Sequence, residues 1–209
     1  VPAAELFEIN PRFNIAPSQP ILAVTQVGEN RSLGLFDWGL IPSWSKDATG
    51  IINARAETLD EKPSFSESFQ RRRCLIPADG FYEWQKRGKS RQPYFFQLQD
   101  EEPFAFAGLW DQWQNNGRTS STCAIITTRP NELLAEIHDR MPAILDPDNY
   151  DEWLDNRTPA SELKGMLLPF PAAAMNGYPV SSEVNSPKVD NETLVQPIQP
   201  EPEAQPSLF

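Results

Sequence analysis

Apolar positions along the chain recur with two spacings, and the points where one gives way to the other mark its elements. Residues 21–27 and 32–38 read as strands, joined by the turn residues Gly28, Glu29 and Asn30. Ahead of them, residues 12–20 are punctuated by Pro17 and Pro20 and predict an ordered extended loop. Ser64 and Glu67 have the Ser-x-x-Glu spacing of a capping box, and Phe65 and Phe69 fall on one face. That predicts a short helix over 65–73, ending in Arg71, Arg72 and Arg73, where cations suit the carbonyl end of the helix dipole. Strand patterning resumes at 74–76, 81–85, 94–98, 104–113 and 122–128. The connections at 86–91, 100–103 and 115–117 are short and turn-like, so these strands are expected to pair as antiparallel hairpins.

The last third changes character. A helix opens at Pro130 and Asn131 and runs to about Ile137, which leaves His138 at its carboxyl end, with Pro142 preventing continuation. Further helices are expected from Pro147 to about Leu154 and from Pro159 to about Leu167, and a final strand over 178–184. From Pro197 the sequence is rich in Pro, Gln and Glu and has no period, so 197–209 is expected to be a flexible tail. No repeat and no break in composition divides the rest, which gives one domain over 1–196.

Composition narrows the classes. With 209 residues, 39% hydrophobic and 22% charged, the chain can bury a substantial core, and it has no apolar run of the roughly 18 residues that a membrane span needs. Cys74 and Cys123 lie in apolar surroundings and form no Cys-x-x-Cys pair, and there is one histidine, so no zinc site is expected. Both thiols read as reduced core residues of a cytoplasmic protein, a disulfide between them being the less favoured alternative.

The net charge of −11 argues against nucleic acid as a partner until its distribution is read. Residues 1–130 carry 14 basic and 15 acidic side chains, residues 131–209 only 4 and 14. Basic residues cluster at Arg71, Arg72 and Arg73 and at Lys86, Arg87, Lys89 and Arg91, either as solvated faces or as a local positive groove.

Candidate chemistry is confined to polar groups embedded in apolar segments, because phosphate-binding glycine loops, nucleophile elbows and metalloprotease motifs are absent. His138 is the chain's one histidine, and imidazole is the side-chain type suited to moving protons near neutral pH. Glu83, in Phe81-Tyr82-Glu83-Trp84, shares a strand face with Phe81 and Gln85. Beside aromatic surface it would be desolvated and serve as a general acid; facing water it would be an ordinary edge glutamate. Asn53 and Arg55 share a face if extended, so Arg55 could grip a phosphate while Asn53 orients a reacting group; the alternative is an internal Arg55 to Glu57 pair. Trp38 and Trp44 bracket Gly39 and Pro42, either as core indoles or with one as a stacking platform at a cleft.

Taken together, Asn53-Ala-Arg-Ala-Glu-Thr58, Arg73-Cys-Leu-Ile-Pro-Ala-Asp-Gly-Phe-Tyr-Glu-Trp84 and His138-Asp-Arg-Met-Pro142 occur in the order and approximate spacing of the SRAP family, the SOS-response-associated peptidase-like proteins that sense abasic sites in DNA. Asn14-Ile-Ala-Pro17, Trp38-Gly-Leu-Ile-Pro42 and Val184-Asn185 also resemble that family, so the likeness spans Arg12 to about Asp190. It implies an α+β fold, a mainly antiparallel barrel-like sheet flanked by helices, with a DNA cleft across it and no metal or organic cofactor.

By the same resemblance, the implied partner is single-stranded DNA containing abasic sites, met by a monomer, with no membrane involved. The nucleophile is an amino-terminal cysteine whose amine and thiol close a thiazolidine on the lesion's aldehyde. The chain starts at Val1 without that cysteine, so the resemblance implies a preceding segment, and residues 1–209 as they stand are expected not to crosslink. Asn53, Glu83 and His138 would be catalytic: Asn53 positions the amine, Glu83 acts as acid or base, His138 assists proton transfer. Arg55, Arg140, Thr127, Trp44, Trp84 and Pro17 would bind DNA. Two further readings stand beside this one, a cysteine-type peptidase acting on proteins and a non-catalytic binder of single-stranded or modified DNA.

Overall fold

The structure, a computed structural model, describes residues 10–115 and 117–199. Its strands are β1 (Pro20–Val27), β2 (Asn30–Trp38), β3 (Asn53–Arg55), β4 (Arg73–Ala78), β5 (Phe81–Arg87), β6 (Ser90–Leu98), β7 (Phe104–Asn115), β8 (Arg118–Thr128), β9 (Met141–Pro142), β10 (Ile144–Leu145) and β11 (Met175–Pro179). Four short helices accompany them: α1 (Ser66–Arg71), α2 (Glu132–Ala135), α3 (Tyr150–Leu154) and α4 (Ala160–Gly165).

Five strands close on themselves in the order β7-β4-β1-β2-β8 and back to β7. All neighbours are antiparallel except β2 and β8, which run parallel through Asp37↔Thr122 and Trp38↔Cys123. Closure leaves no free edge around the ring. Inward positions fill it: on β1, Ile21 and Ala23 are buried while Leu22 and Val24 are half-buried, the alternation that makes one face of a strand core. A glycine is required where β7 passes β4, since a Cβ on Gly108 would lie 2.7 Å from Cys74 Sγ and from Ile76 Cδ1. Gly108→Ala should therefore cost about 1–3 kcal/mol of overpacking, read as a lower midpoint in chemical denaturation.

The hairpins β5–β6 and β7–β8 form as their turn residues predict, but the pairing does not continue along the chain. β4 pairs with β7 and not with β5, and β6 takes β11 as its second neighbour, giving a separate three-stranded sheet β11-β6-β5. The reason is closure: β4 and β7 have buried residues on both faces and belong to the barrel wall, whereas no residue of β5 is fully buried. The predicted strand over 178–184 ends early, at Pro179, and residues 182–185 turn as a 3₁₀ segment capped by the Ser181 hydroxyl.

The capping box does not form either. The cap of α1 is Phe65, without a side-chain bond, because the Lys62 carbonyl takes the Phe65 and Ser66 amides. Arg73, expected on a solvated basic cluster, is buried at the base of α1, where its guanidinium donates to the carbonyls of Phe69, Gln70, Trp153 and Asp155 at 2.6–2.8 Å. Among the described residues no helix is long and apolar enough to cross a membrane. Residues 200–209 of the expected tail lie outside the described part, as does Val1; the tail's first residues are held, since the Ile198 amide donates to the Pro179 carbonyl at 2.9 Å.

Candidate functional site

The site begins where the β7–β8 ladder parts. The two strands pair from Asn115↔Arg118 down to Gly108↔Ile125, then diverge, and β9 and β10 fill the gap: Pro142 sits opposite Thr127, Ile144 opposite Phe106. Between them the Ala143 amide donates to the Ile126 carbonyl and its carbonyl accepts from the Ala107 amide, both at 2.8 Å. Residues 138–140 immediately precede this wedge, so they are delivered to the carboxyl end of β8. On the other edge of β8, β3 runs parallel, with Asn53↔Ile125 and Arg55↔Thr127. Ala54 is buried in the wall, and the alternation therefore puts Asn53 and Arg55 out into solvent on one face.

Arg140 ties the two edges together. Its guanidinium donates to both Glu57 carboxylate oxygens at 2.7 and 2.9 Å and to the Thr127 carbonyl at 2.5 Å. This bidentate contact holds the Glu57 carboxyl below its usual range. Glu57 thus pairs with Arg140, not with Arg55, and among the described residues Arg55 makes no ion pair. Glu57 was not singled out for chemistry by sequence, although it lies in the same short segment as Asn53 and Arg55; nothing in the spacing of that segment indicates a partner 83 residues away.

His138 closes α2's last turn, its amide donating to the Leu134 carbonyl at 2.8 Å. The ring Nδ1 accepts from the Arg140 amide at 3.1 Å, so the loop fixes the ring's orientation through its neighbour's backbone. The same Nδ1 lies 4.0 Å from Glu83 Oε2 and 3.3 Å from Asp139 Oδ1. One bridging water or a small rotation suffices to pass a proton between His138 and Glu83.

Glu83 lies on the β5 face that packs toward the barrel. Phe81, two residues away, stacks on Phe96 and meets Phe106 edge-on, and the Gln85 side chain donates to the Glu136 carbonyl at 3.1 Å. Burial raises the Glu83 carboxyl to about 7, against the opposing pull of His138's charge and the Trp84 amide. Of the two environments open at the sequence level, the structure shows the desolvated one, with only 19% of the side chain exposed.

The remaining candidates divide. Thr127 is buried and acts through its carbonyl. Trp84, on the opposite face of β5, donates its indole N–H to Asn185 Oδ1 at 2.7 Å, which fixes the ring at the surface. Pro17 is exposed on the loop that pairs with Trp38, whose indole donates to the Ile52 carbonyl beside Asn53. Trp44 is 61% exposed but stands apart, in a loop pinned to Asp111 and to Trp113 through Ser43 and Ser45. Those anchors are opposite Thr122 and Ser120, so the loop is tied about 17 Å or more along β8 from Thr127.

The pattern of residues matched by comparison settles the family: residues 2–187 match the family described as SOS response associated peptidase (SRAP). The chain belongs to the SRAP family. Among curated SRAP relatives, the abasic site processing protein YoqW of Bacillus subtilis (strain 168) is 48% identical over 195 residues, covering 90% of this chain and 87% of that protein. The abasic site processing protein YedK of Escherichia coli (strain K12) is 31% identical over 189 residues, covering 90% and 85%. Of the solved structures, a protein from Bacteroides thetaiotaomicron superposes with a TM-score of 0.78 at 32% identity, covering 87% of this chain and 82% of that one. The SRAP barrel expected from the resemblance is thus the observed fold, with the parallel β2–β8 and β3–β8 contacts making the sheet mixed.

Two buried groups bear on what chemistry this SRAP chain can do. Cys74 and Cys123 are free and buried, the first raised well above the ordinary thiol range by desolvation, the second pushed up to about 12. Neither supplies a thiolate at neutral pH, so neither is a nucleophile. Asn14, from the first of the family-like segments, is likewise structural: its side-chain amide reaches the carbonyls of Val184, Ser186 and Val189 at 2.9–3.1 Å, while Asp190 Oδ1 accepts the Phe13 and Asn14 amides. Those bonds fasten the loop bearing Pro17 to the segment that orients Trp84.

Proposed function

We propose that the protein processes abasic sites in single-stranded DNA by the route the family resemblance implies, a thiazolidine crosslink between the lesion and an amino-terminal cysteine. The observation that carries this reading is the pairing of a carboxyl poised at about 7 with an imidazole 4.0 Å away, with Asn53 and Arg55 exposed on β3 across β8 and Arg55 in no ion pair among the described residues. The curated relatives' shared name, abasic site processing protein, supports the substrate.

The proposed steps use these groups in turn. The cysteine amine adds to the C1′ aldehyde, giving a carbinolamine. Loss of water then needs a proton on the departing hydroxyl, and a carboxyl half-protonated at neutral pH can give it and take one back. The thiol sulfur adds to the resulting imine carbon, its proton passes by way of a base to the imine nitrogen, and the ring closes as a secondary amine. His138 relays the proton between Glu83 and solvent, since it is exposed on one side and faces Glu83 on the other. Arg55 holds a backbone phosphate near the lesion. Arg140, its fork occupied by Glu57 and Thr127, keeps the 138–140 loop against β3 and so sets the His138 position. The same acid and base would open the sugar to expose the C1′ aldehyde, and removal of a C2′ proton from the imine, with the 3′ phosphate leaving, would add a lyase activity.

The direct test supplies the protein with a free amino-terminal cysteine and mixes it with an oligonucleotide bearing one abasic site. A species that survives a denaturing gel, and is absent with intact DNA or after blocking the terminal amine, is the expected result. No such species, under conditions where the DNA is bound, removes the reading. Arg55→Ala should weaken binding of intact single-stranded DNA and make the slope of log K against log salt shallower by about 0.7, one phosphate contact. An unchanged slope in filter-binding titrations would take Arg55 off the phosphate.

A further inference from the structure

Beyond the reacting centre, the β5–β6 hairpin carries a charge arrangement that the fold does not need. Register puts Lys86 directly opposite Arg91, and Arg87 opposite Ser90, with Lys89 in the turn. Like charges facing each other across an antiparallel pair destabilise it. Nothing relieves them here: among the described residues no carboxylate lies within 4.0 Å of Lys86, Arg87, Lys89 or Arg91, although the chain has 29 acidic residues to 18 basic. Arg87 is turned to the Gln85 side-chain oxygen and the Tyr94 hydroxyl at 2.8 and 3.1 Å, whereas Lys86 and Arg91 are exposed.

Alternation along β5 places this pair relative to the site. Lys86 and Arg91 share their face with Trp84 and its cross-strand partner Pro93, while Glu83, three positions back on the same strand, takes the other face. The cations therefore begin about 10 Å along the strand from Glu83 and on the opposite face of the hairpin, in line with an indole already oriented by Asn185, and a strand leaving Glu83 reaches them by crossing the outer edge of β5. A nucleic-acid backbone presents a charge about every 3.4 Å per strand in duplex geometry, so the arm lies within reach of phosphates a few nucleotides from a lesion held at Glu83.

We infer that the tip of the β5–β6 hairpin is a second DNA subsite, in which Lys86 and Arg91 grip backbone phosphates of the strand flanking the lesion. The occupant is a polyanion of regular spacing, and it neutralises the repulsion that the apo hairpin carries. This inference rests on the reading of the site as one for abasic single-stranded DNA and extends its footprint.

The test compares two variants of the full chain with the same change in net charge. Lys86→Gln with Arg91→Gln removes two charges at the tip; Lys62→Glu removes two on an exposed residue outside the hairpin. Binding of an intact single-stranded 20-mer is measured by fluorescence anisotropy across a salt series. The hairpin variant should lose about 1.4 from the slope of log K against log salt, two contacts at about 0.7 each, while Lys62→Glu changes it by under about 0.3. Equal changes in both variants, no change in the hairpin variant, or no salt-dependent binding by the parent would each overturn the subsite. Crosslinking to abasic DNA separates the two readings: parent protein with an amino-terminal cysteine that binds with the expected slope but never crosslinks sinks the chemistry and leaves the hairpin subsite standing.

Discussion

Glu83→Gln slows crosslink formation by about 10²–10³-fold and at the same time stabilises the protein at alkaline pH. The first effect follows from removing a group that donates and accepts the proton of carbinolamine dehydration, a contribution typical of positioned acid–base catalysts. The second follows from linkage. In the fold the carboxyl titrates at about 7, against an ordinary value of 4.5, because burial disfavours its charged form. Between those values the folded state holds a proton that the unfolded state has released, so stability falls as pH rises from 4.5 to 7 and stays low above.

A shift of that size corresponds to about 3 kcal/mol at most. Gln at position 83 carries no charge to desolvate. The variant should therefore exceed the parent by about 2–3 kcal/mol at pH 8, with the difference shrinking through pH 7 and gone near 4.5. Urea denaturation at several pH values reads the stability, and single-turnover gels read the rate. The parent's rate should fall as pH rises past about 7, and the variant's profile should lack that inflection. A variant as fast as the parent, or one no more stable at pH 8, would show that Glu83 is neither the acid nor desolvated.

The second large effect belongs to the scaffold. Arg73→Met should destabilise the fold by about 3–5 kcal/mol, a drop of roughly 10 °C in Tm. Arg73 has no carboxylate within ion-pair distance among the described residues; it is buried against carbonyl oxygens at the end of α1, on α3 and just after it. Its guanidinium keeps its charge at neutral pH, desolvation lowering it only to about 10. Methionine fills similar volume but leaves those carbonyls buried without donors, the costly half of losing a hydrogen bond. Arg73→Lys, with one ammonium in place of a fork, should lose an intermediate amount. Calorimetry on the three proteins orders them, and an Arg73→Met protein within 1 °C of the parent would show the guanidinium to be dispensable.

Much of the site was legible as sequence because its parts are short and each sits on a local element. Alternation alone put Glu83 on the face of Phe81 and Gln85, and Asn53 on that of Arg55; the position of Pro142 put His138 at a helix end. All three placements hold, since they depend only on the period of a strand and the reach of one helical turn. The same local rules misled where a distant partner outbid them. The Ser64 capping box lost to the Lys62 carbonyl, Arg73 was drawn inside by α3, and Glu57 went to Arg140.

What the sequence by itself determined, then, is the longer strands and the helix positions, the strand faces that Glu83, Asn53 and Arg55 take, and, through the segments shared with other SRAP proteins, the family; the short strands β9 and β10 were not legible in it. What only the tertiary structure decided is which elements meet. β4 chose β7 over β5 because the barrel closes, and β7 and β8 part because β9 and β10 enter between them. That parting carries His138 to within 4.0 Å of Glu83, 55 positions earlier in the chain. Desolvation and charge pairing depend on atoms adjacent in space, and a linear pattern records only which residues are adjacent along the chain.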